Sequence, residues 1–242
     1  MKRSIITTLF MLFVIIGQAQ EQSTKSFPLK SAKEVSLDFE YPQIVKIKTW
    51  DKDEVQVISK LDINEGKDND NFTLRSTSEG GRLTISSKLT GLSKYDGVYM
   101  SSSDDYEDHK QKVFKNGKRV DQGNGNRNKG VEIFIVVEVT VPKNRPLTIT
   151  AKYGLVEVVD LPIELFVDAH FGGADLTIKE NNIGFLTVSS SWGQLFSDLN
   201  SDFNIKGNDM PGKKMIAELS TKKNGNKVNV ETRFGNVFLR KN

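Results

Sequence analysis

The sequence predicts an all-β chain, a right-handed β-solenoid or β-helix-like stack of coils about 20 residues long, interrupted by a long polar insertion. Three observations carry that reading. The first is a segment that recurs four times: LTITAKYGLVEV (147–158), LFVDAHFGGADL (165–176), LTVSSSWGQLFS (186–197) and VNVETRFGNVFL (228–239). The second is its spacing. The aromatic-glycine pairs at the centres are Tyr153-Gly154, Phe171-Gly172, Trp192-Gly193 and Phe234-Gly235, separated by 18, 21 and 42 residues. Self-similarity at such a period is the signature of stacked units that cannot bury an apolar face alone. The third is the lack of helical periodicity anywhere in the mature chain.

Within each repeat the side chains alternate. Leu147, Leu165, Leu186 and Val228 stand six residues before the aromatic, and Ile149, Val167, Val188 and Val230 stand four before it. Ala151, Ala169, Ser190 and Thr232, all small, stand two before it. Period-two alternation puts these residues on one face of a strand. After the glycine the apolar positions are Val156 and Val158, Ala174 and Leu176, Val237 and Leu239; Leu195 fits, Ser197 does not. The inward parity changes by one at the glycine, which a straight strand cannot accommodate. Each repeat therefore reads as strand, corner, strand. The glycine is expected to reach backbone angles closed to other residues. Stacked coils place the aromatics in register as a corner-filling ladder, with room for the rings made by the small residues. A carbohydrate platform is the alternative reading of the same rings.

From the N-terminus, MKRSIITTLFMLFVIIGQAQ has Lys2 and Arg3, an apolar run to Ile16 and small residues before Gln20, the order of a secretory signal over 1–20. The run is short for a membrane anchor. The chain is expected to be exported, to the periplasm, the outer surface or the extracellular space, without a stable span after cleavage. Residues 21–90 read as N-terminal β coils. KEVSLDFEYPQIVKIKTW (33–50) is a degenerate version of the repeat with Tyr41-Pro42 at its corner. Trp50 to Asp53 make a turn into Val55-Val57, and Gly80-Gly81 joins Phe72-Leu74 to Leu83-Ile85 as a hairpin.

Residues 91–130 are rich in Ser, Asp, Lys, Gly and Asn and read as a polar insertion, with a hairpin around Asn116-Gly117. The repeat region spans 131–242. It opens with VEIFIVVEVTVP (131–142), apolar enough for burial on both faces. Pro142 and Pro146 mark the turn into the first clear repeat. Because 42 is twice 21, residues 203–221 read as an irregular coil standing between the third and fourth repeats. The closing FLRKN places positive charge on an open edge.

The leader ending GQAQ, the segment VSLDFEYPQIVKIKTWDKDEVQV and the aromatic-glycine series together resemble the exported putative-adhesin family of bacterial β-solenoid domains common in Bacteroidota. The resemblance covers roughly residues 33–240 and implies a right-handed β-helix-like stack. It implies no catalytic or binding residues.

Composition excludes several function classes. Lys2 and Arg3 leave with the leader, so 34 basic residues become 32 against 31 acidic ones, and the pI near 8.8 is no mark of nucleic-acid binding. The absence of cysteine excludes disulfides, thiolate metal sites and cysteine nucleophiles. His109 and His170, 61 residues apart, make no zinc site. No nucleophile elbow or phosphate loop is present. Outward acids are the one catalytic inventory: Glu157, Asp175 and Asp198 on one row, Asp168 and Glu231 on another. Polysaccharide cleavage by a lyase or hydrolase on a solenoid face needs such convergence. Asp68, Asp70, Asp104, Asp105 and Asp108 lack calcium-loop spacing. The expected protein is non-enzymatic, takes no cofactor or metal, and serves as an adhesin-like binding or scaffold module of the cell envelope. Its expected partners are glycan or a cell-surface protein. The polysaccharide lyase or hydrolase and an envelope signalling accessory are the alternatives.

Overall fold

The computed structural model describes residues 21–95, 97–100, 114–115, 118–119, 130–207, 215–219 and 224–242. The signal-peptide reading, His109, Asp104, Asp105, Asp108 and the turn residues Asn116-Gly117 lie outside them. The chain is all-β, and the helical content of the described residues is confined to short 3₁₀ turns.

Alternation in sequence becomes alternation in burial. The chain opens with β1 (Glu21–Pro28), β2 (Glu34–Phe39), β3 (Ile44–Trp50) and β4 (Glu54–Ile63), and in β4 every second residue is buried. A hairpin follows, β5 (Phe72–Glu79) and β6 (Arg82–Leu89), whose two-residue turn Gly80-Gly81 has φ of 58° and 80°. Two positive φ angles in succession are what a right-twisting hairpin demands, and glycine supplies them without a Cβ clash. The insertion contributes β7 (Gly97–Met100) and the small antiparallel pair β8 (Phe114–Lys115) and β9 (Lys118–Arg119). Next comes β10 (Gly130–Pro142), buried on both faces over Ile133 to Val137 as its apolar run predicts.

The repeats supply β11 (Leu147–Ala151) and β12 (Leu155–Val158), β13 (Glu164–Ala169) and β14 (Ala174–Ile178), then β15 (Ile183–Ser190) and β16 (Leu195–Ser197). After them come β17 (Asn204–Lys206), β18 (Met215–Leu219), β19 (Asn226–Thr232) and β20 (Val237–Lys241).

These strands form two large mixed sheets of nine strands each, neither of them closed. One runs β1-β4-β10-β3-β12-β14-β20-β16, with β7 also beside β10; the other runs β17-β18-β15-β19-β13-β11-β2-β6-β5. Their inner faces share one hydrophobic cluster that includes Leu37, Ile47, Ile149, Val156, Val167, Leu176, Val230 and Leu239. At each aromatic corner the chain leaves the second sheet and enters the first, so every repeat gives one strand to each. Tyr41-Pro42 makes the same passage between β2 and β3.

The order in space differs from the order in the chain. The repeat units lie side by side as first, second, fourth, third, because β19 pairs in parallel with both β13 and β15, and β20 with both β14 and β16. A winding that follows chain order, with an irregular coil standing between the third and fourth repeats, is therefore corrected. The residues expected to fill that coil instead fold back antiparallel on the far side of β15 as β18, with β17 outside it. Ser197 explains the order. An interior unit must bury the position held by Val158, Leu176 and Leu239, and Ser197 stands there exposed, opposite Leu239. The fourth repeat has the apolar residue and takes the interior place; the third tolerates only the end.

Two elements escape the sequence reading. Strand β1, polar and exposed except at half-buried Ser23 and Phe27, forms an edge against β4 in antiparallel register. Gln43 is buried and uses its side-chain amide as a piece of strand: Nε2 donates to the Ile133 carbonyl at 2.6 Å, and Oε1 accepts from the Ile135 N–H at 2.6 Å. It continues the ladder on β10 just ahead of the point where β3 begins. Replacing Gln43 with Ala leaves two buried backbone groups of β10 without partners, and we expect a loss of about 2–3 kcal/mol in chemical denaturation. An unchanged midpoint would mean that water replaces the amide.

Candidate binding surface at the aromatic corner

The corner is built from the glycine outward. A Cβ added to Gly154 would lie 2.0 Å from the Pro42 carbonyl oxygen, and one on Gly172 would lie 1.9 Å from the Gly154 oxygen. On Gly235 it would lie 1.8 Å from the Gly172 oxygen, and on Gly193 2.0 Å from the Gly235 oxygen. None of the four has φ in the left-handed region. The expectation that glycine serves unusual backbone angles is corrected here: each glycine is required because the next unit's carbonyl occupies the space of its side chain. Backbone hydrogen bonds carry the ladder through the bend, from the N–H of Phe171 to Lys152, of Phe234 to His170 and of Trp192 to Arg233, at 2.8, 3.2 and 2.9 Å.

Crowding beneath the corner pushes the rings outward. Tyr153 is 37% exposed, Phe171 47%, Phe234 49% and Trp192 55%. They do not fill the corner from inside, as the small residues two positions earlier had suggested. Two of those four residues, Ser190 and Thr232, serve the backbone instead. The Ser190 hydroxyl accepts from the Gly193 N–H at 2.8 Å and donates to the Gly235 carbonyl at 3.1 Å, and the Thr232 hydroxyl donates to the same carbonyl at 2.7 Å.

The rings make one outer file in the order Tyr41, Tyr153, Phe171, Phe234, Trp192. Successive centroids are 5.9, 5.4, 5.3 and 6.3 Å apart, with interplanar angles of 32°, 13°, 6° and 17°. Stacking of this kind covers ring faces and leaves ring edges to solvent, where the quadrupole is positive. Trp192 ends the file, with a ring neighbour on one side only among the described residues. A second stacked pair, Phe196 and Phe238 at 5.0 Å, lies on the outer face of the first sheet. It was illegible in sequence because it depends on the third and fourth repeats being neighbours.

Polar rows flank the file. On the second-sheet side stand Glu40, Lys152, His170, Arg233 and Ser191; Lys152 pairs with Glu40, and Arg233 approaches His170 Nε2 at 3.4 Å. His170 points outward, edge-on to Phe171 at 4.4 Å. On the other side Asn236 accepts from the Gln194 N–H at 2.9 Å.

The acids are divided differently from the sequence expectation. Glu157 and Asp175 are register neighbours, but the row runs on to Phe238 and Phe196 rather than to Asp198, because β20 intervenes. Each acid has a cation: Lys46 contacts Glu157 at 2.9 Å, and Arg240 donates to both oxygens of Asp175. Asp198 accepts from the Lys241 N–H. Asp168 and Glu231 are neighbours on the outer face of the second sheet. A cavity of about 810 Å³ near the C-terminus is lined by Lys179, Glu180, Asn200, Ser201 and Lys241. Its carboxylate is engaged by the backbone N–H groups of Asn200 and Ser201 and by the Ser201 hydroxyl. Among the described residues no group of three or more His, Asp or Glu is placed to hold a metal ion.

Asp68, read in sequence as a loop acid, is a buried hub. It accepts from Lys94 Nζ at 2.6 Å, Asn64 Nδ2 at 2.7 Å, Asn71 Nδ2 at 3.1 Å and the Tyr95 hydroxyl. These donors, Lys94 first, hold its carboxyl well below the usual range. The Lys60 ammonium lowers the pKa of Glu138, and the Ser201 hydroxyl, then the Asn200 N–H, lowers that of Glu180.

No family model matches the chain, and no curated protein does. One solved structure, described as a putative cell adhesion protein from Clostridium sporogenes, is similar with a TM-score of 0.51 at 12% identity, over 92% of this chain and 99% of that one. The likeness is one of fold. Another, described as a putative adhesin from Bacteroides fragilis, aligns over 93% of this chain and 98% of that one at 7% identity, with a TM-score of 0.20 that carries no argument.

Two measurements test this geometry. Gly235→Ala should cost about 3 kcal/mol or more through overpacking, whereas Gly80→Ala, with open space around it, should cost about 1 kcal/mol for its positive φ. The reverse ranking in denaturant titrations would return the corner glycine to a conformational role. Depressed carboxyl pKa values stabilise the fold above the unfolded-state value, and that stability is lost as pH falls through the ordinary carboxylate range toward the folded pKa. The melting temperature should therefore be flat from neutral pH down to about pH 5 and fall below about pH 4. Asp68→Asn should flatten that descent, and an equally steep acid limb would show that Asp68 does not contribute to it.

Proposed function

We infer that the chain is a non-catalytic, exported, adhesin-like binding module of the cell envelope. In this reading it is a short β-solenoid-like stack of strand–corner–strand rungs, right-handed as the family resemblance implies. Its contact surface is the file of aromatic edges at the corner, and its partner is an extended glycan strand. The observation that carries this reading is the exposure of those rings. Large apolar groups gathered on one stripe of a soluble surface are a mark of recognition rather than of packing. Ring edges present weakly positive C–H groups to the oxygens of a ligand. Lys152, His170, Arg233, Asn236 and Gln194 add hydrogen-bonding groups on both sides.

The fold likeness to the clostridial protein supports an adhesin-like role, and the leader supports export. No helix among the described residues is long and apolar enough to cross a membrane. The ion-paired state of Glu157 and Asp175 supports binding over cleavage, since a catalytic carboxylate pair needs one member free to take up or give a proton.

The test is retention of the mature chain on immobilised cell-wall and capsular polysaccharides. The double variant Trp192→Ala/Arg233→Ala should weaken retention about tenfold or more, the loss expected from removing a tryptophan and an arginine anchor of an interface. Its melting temperature should stay near that of the parent, because both side chains are exposed. Retention equal to the parent, or no retention of the parent on any glycan, would remove this reading.

A further inference from the structure

The fourth repeat fills a slot. All sheet pairing of β19 and β20 is with β13, β14, β15 and β16, and the unit enters between neighbours that precede it in the chain. Without it the flanking strands would stand two strand spacings apart, about 9.6 Å, in both sheets.

The slot is shaped for this segment. Val228, Val230, Val237 and Leu239 are at most 3% exposed. Phe234 lies between Phe171 and Trp192, and Gly235 is in backbone contact with Gly172 on one side and Gly193 on the other. Arg240 locks the end of the unit onto Asp175 with three hydrogen bonds of 2.7–2.8 Å.

Chain order makes this the last rung to enter. The third repeat can already be paired with β18 on its far side while its near side waits for β19. The donor is tied to β18 by a short connection that ends at Gly225, where an added Cβ would lie 2.3 Å from the Gly184 nitrogen. Short connections favour exchange of an element between copies. Every copy carries the same slot and the same donor, so the segment within the chain competes only through its effective concentration.

We propose that the C-terminal rung, residues 224–242, is donated between copies: β19 and β20 of one chain fill the slot between β13–β14 and β15–β16 of a second, giving a strand-exchanged dimer. The two copies have the same contacts as two monomers, so exchange costs little beyond the connection. The dimer displays two aromatic files and is independent of what those files bind.

The chain has no cysteine, so the exchange can be trapped cleanly. Asp168 and Glu231 face each other across β13 and β19 on the outer face, within reach of a disulfide. A full-length Asp168→Cys chain and a full-length Glu231→Cys chain are co-expressed in an oxidising compartment. The expected product is a mixed disulfide of twice the chain mass that runs as a dimer in size exclusion and separates on reduction. The comparison pair is Thr150→Cys with Asp168→Cys, whose positions are also register neighbours but lie on strands that stay within one chain in the exchanged dimer. The double variant Asp168→Cys/Glu231→Cys reports on the register itself by closing within a chain or across the exchanged pair. Mixed product above the comparison pair supports donation. A double variant that closes only within the monomer, with mixed product no greater than the comparison pair, overturns it.

Discussion

The contact on which the molecule depends is the seating of a backbone carbonyl in the space where a side chain would begin. It repeats down the corner from Pro42 to Gly154, to Gly172, to Gly235 and to Gly193. Because each unit turns at this point from one sheet into the other, one close contact sets the register of two sheets together. The inward side of the bend is then full. Ser190 and Thr232 occupy what remains by bonding to the backbone, and the rings have only the outside available. An aromatic stripe on the surface is thus a by-product of a backbone contact before it is anything else.

The two ends of the paired sheets are finished by different means. At the first end, β10, β4 and β1 extend one sheet beyond the repeats, while β6 and β5 extend the other. There Gln43 substitutes a side-chain amide for the missing stretch of strand. At the last end the second sheet is covered by β18 and β17, whereas the first stops at three-residue β16. A short edge strand offers little template for unwanted pairing. Ser197 keeps this edge strand tolerant of water.

Much of this architecture was legible in the residues. Period-two alternation located the repeat strands, Gly80-Gly81 the hairpin, and the parity change the corner, including the degenerate one at Tyr41-Pro42. Strand order was not legible, because pairing between units depends on which unit can be dry on both sides. One serine among valines and leucines was the only sign of it. Ring orientation was missed because Lys152 and Tyr153 lie in the bend, where strand parity no longer applies. Strand β1 escaped because an edge strand needs no apolar face. The acid row was read correctly from Glu157 to Asp175, then mistaken at Asp198 for want of the inserted β20.

One feature of the first sheet reaches beyond the repeats. Strand β7 lies parallel to the start of β10, with Met100 opposite Ile133 and Gly97 opposite Gly130. The chain therefore departs at Met100 and re-enters at Gly130 from points about 11 Å apart, given the spacing and rise of paired strands. Ends this close set little constraint on the length of the sequence that joins them, because the entropy of closing a loop grows only slowly with its length.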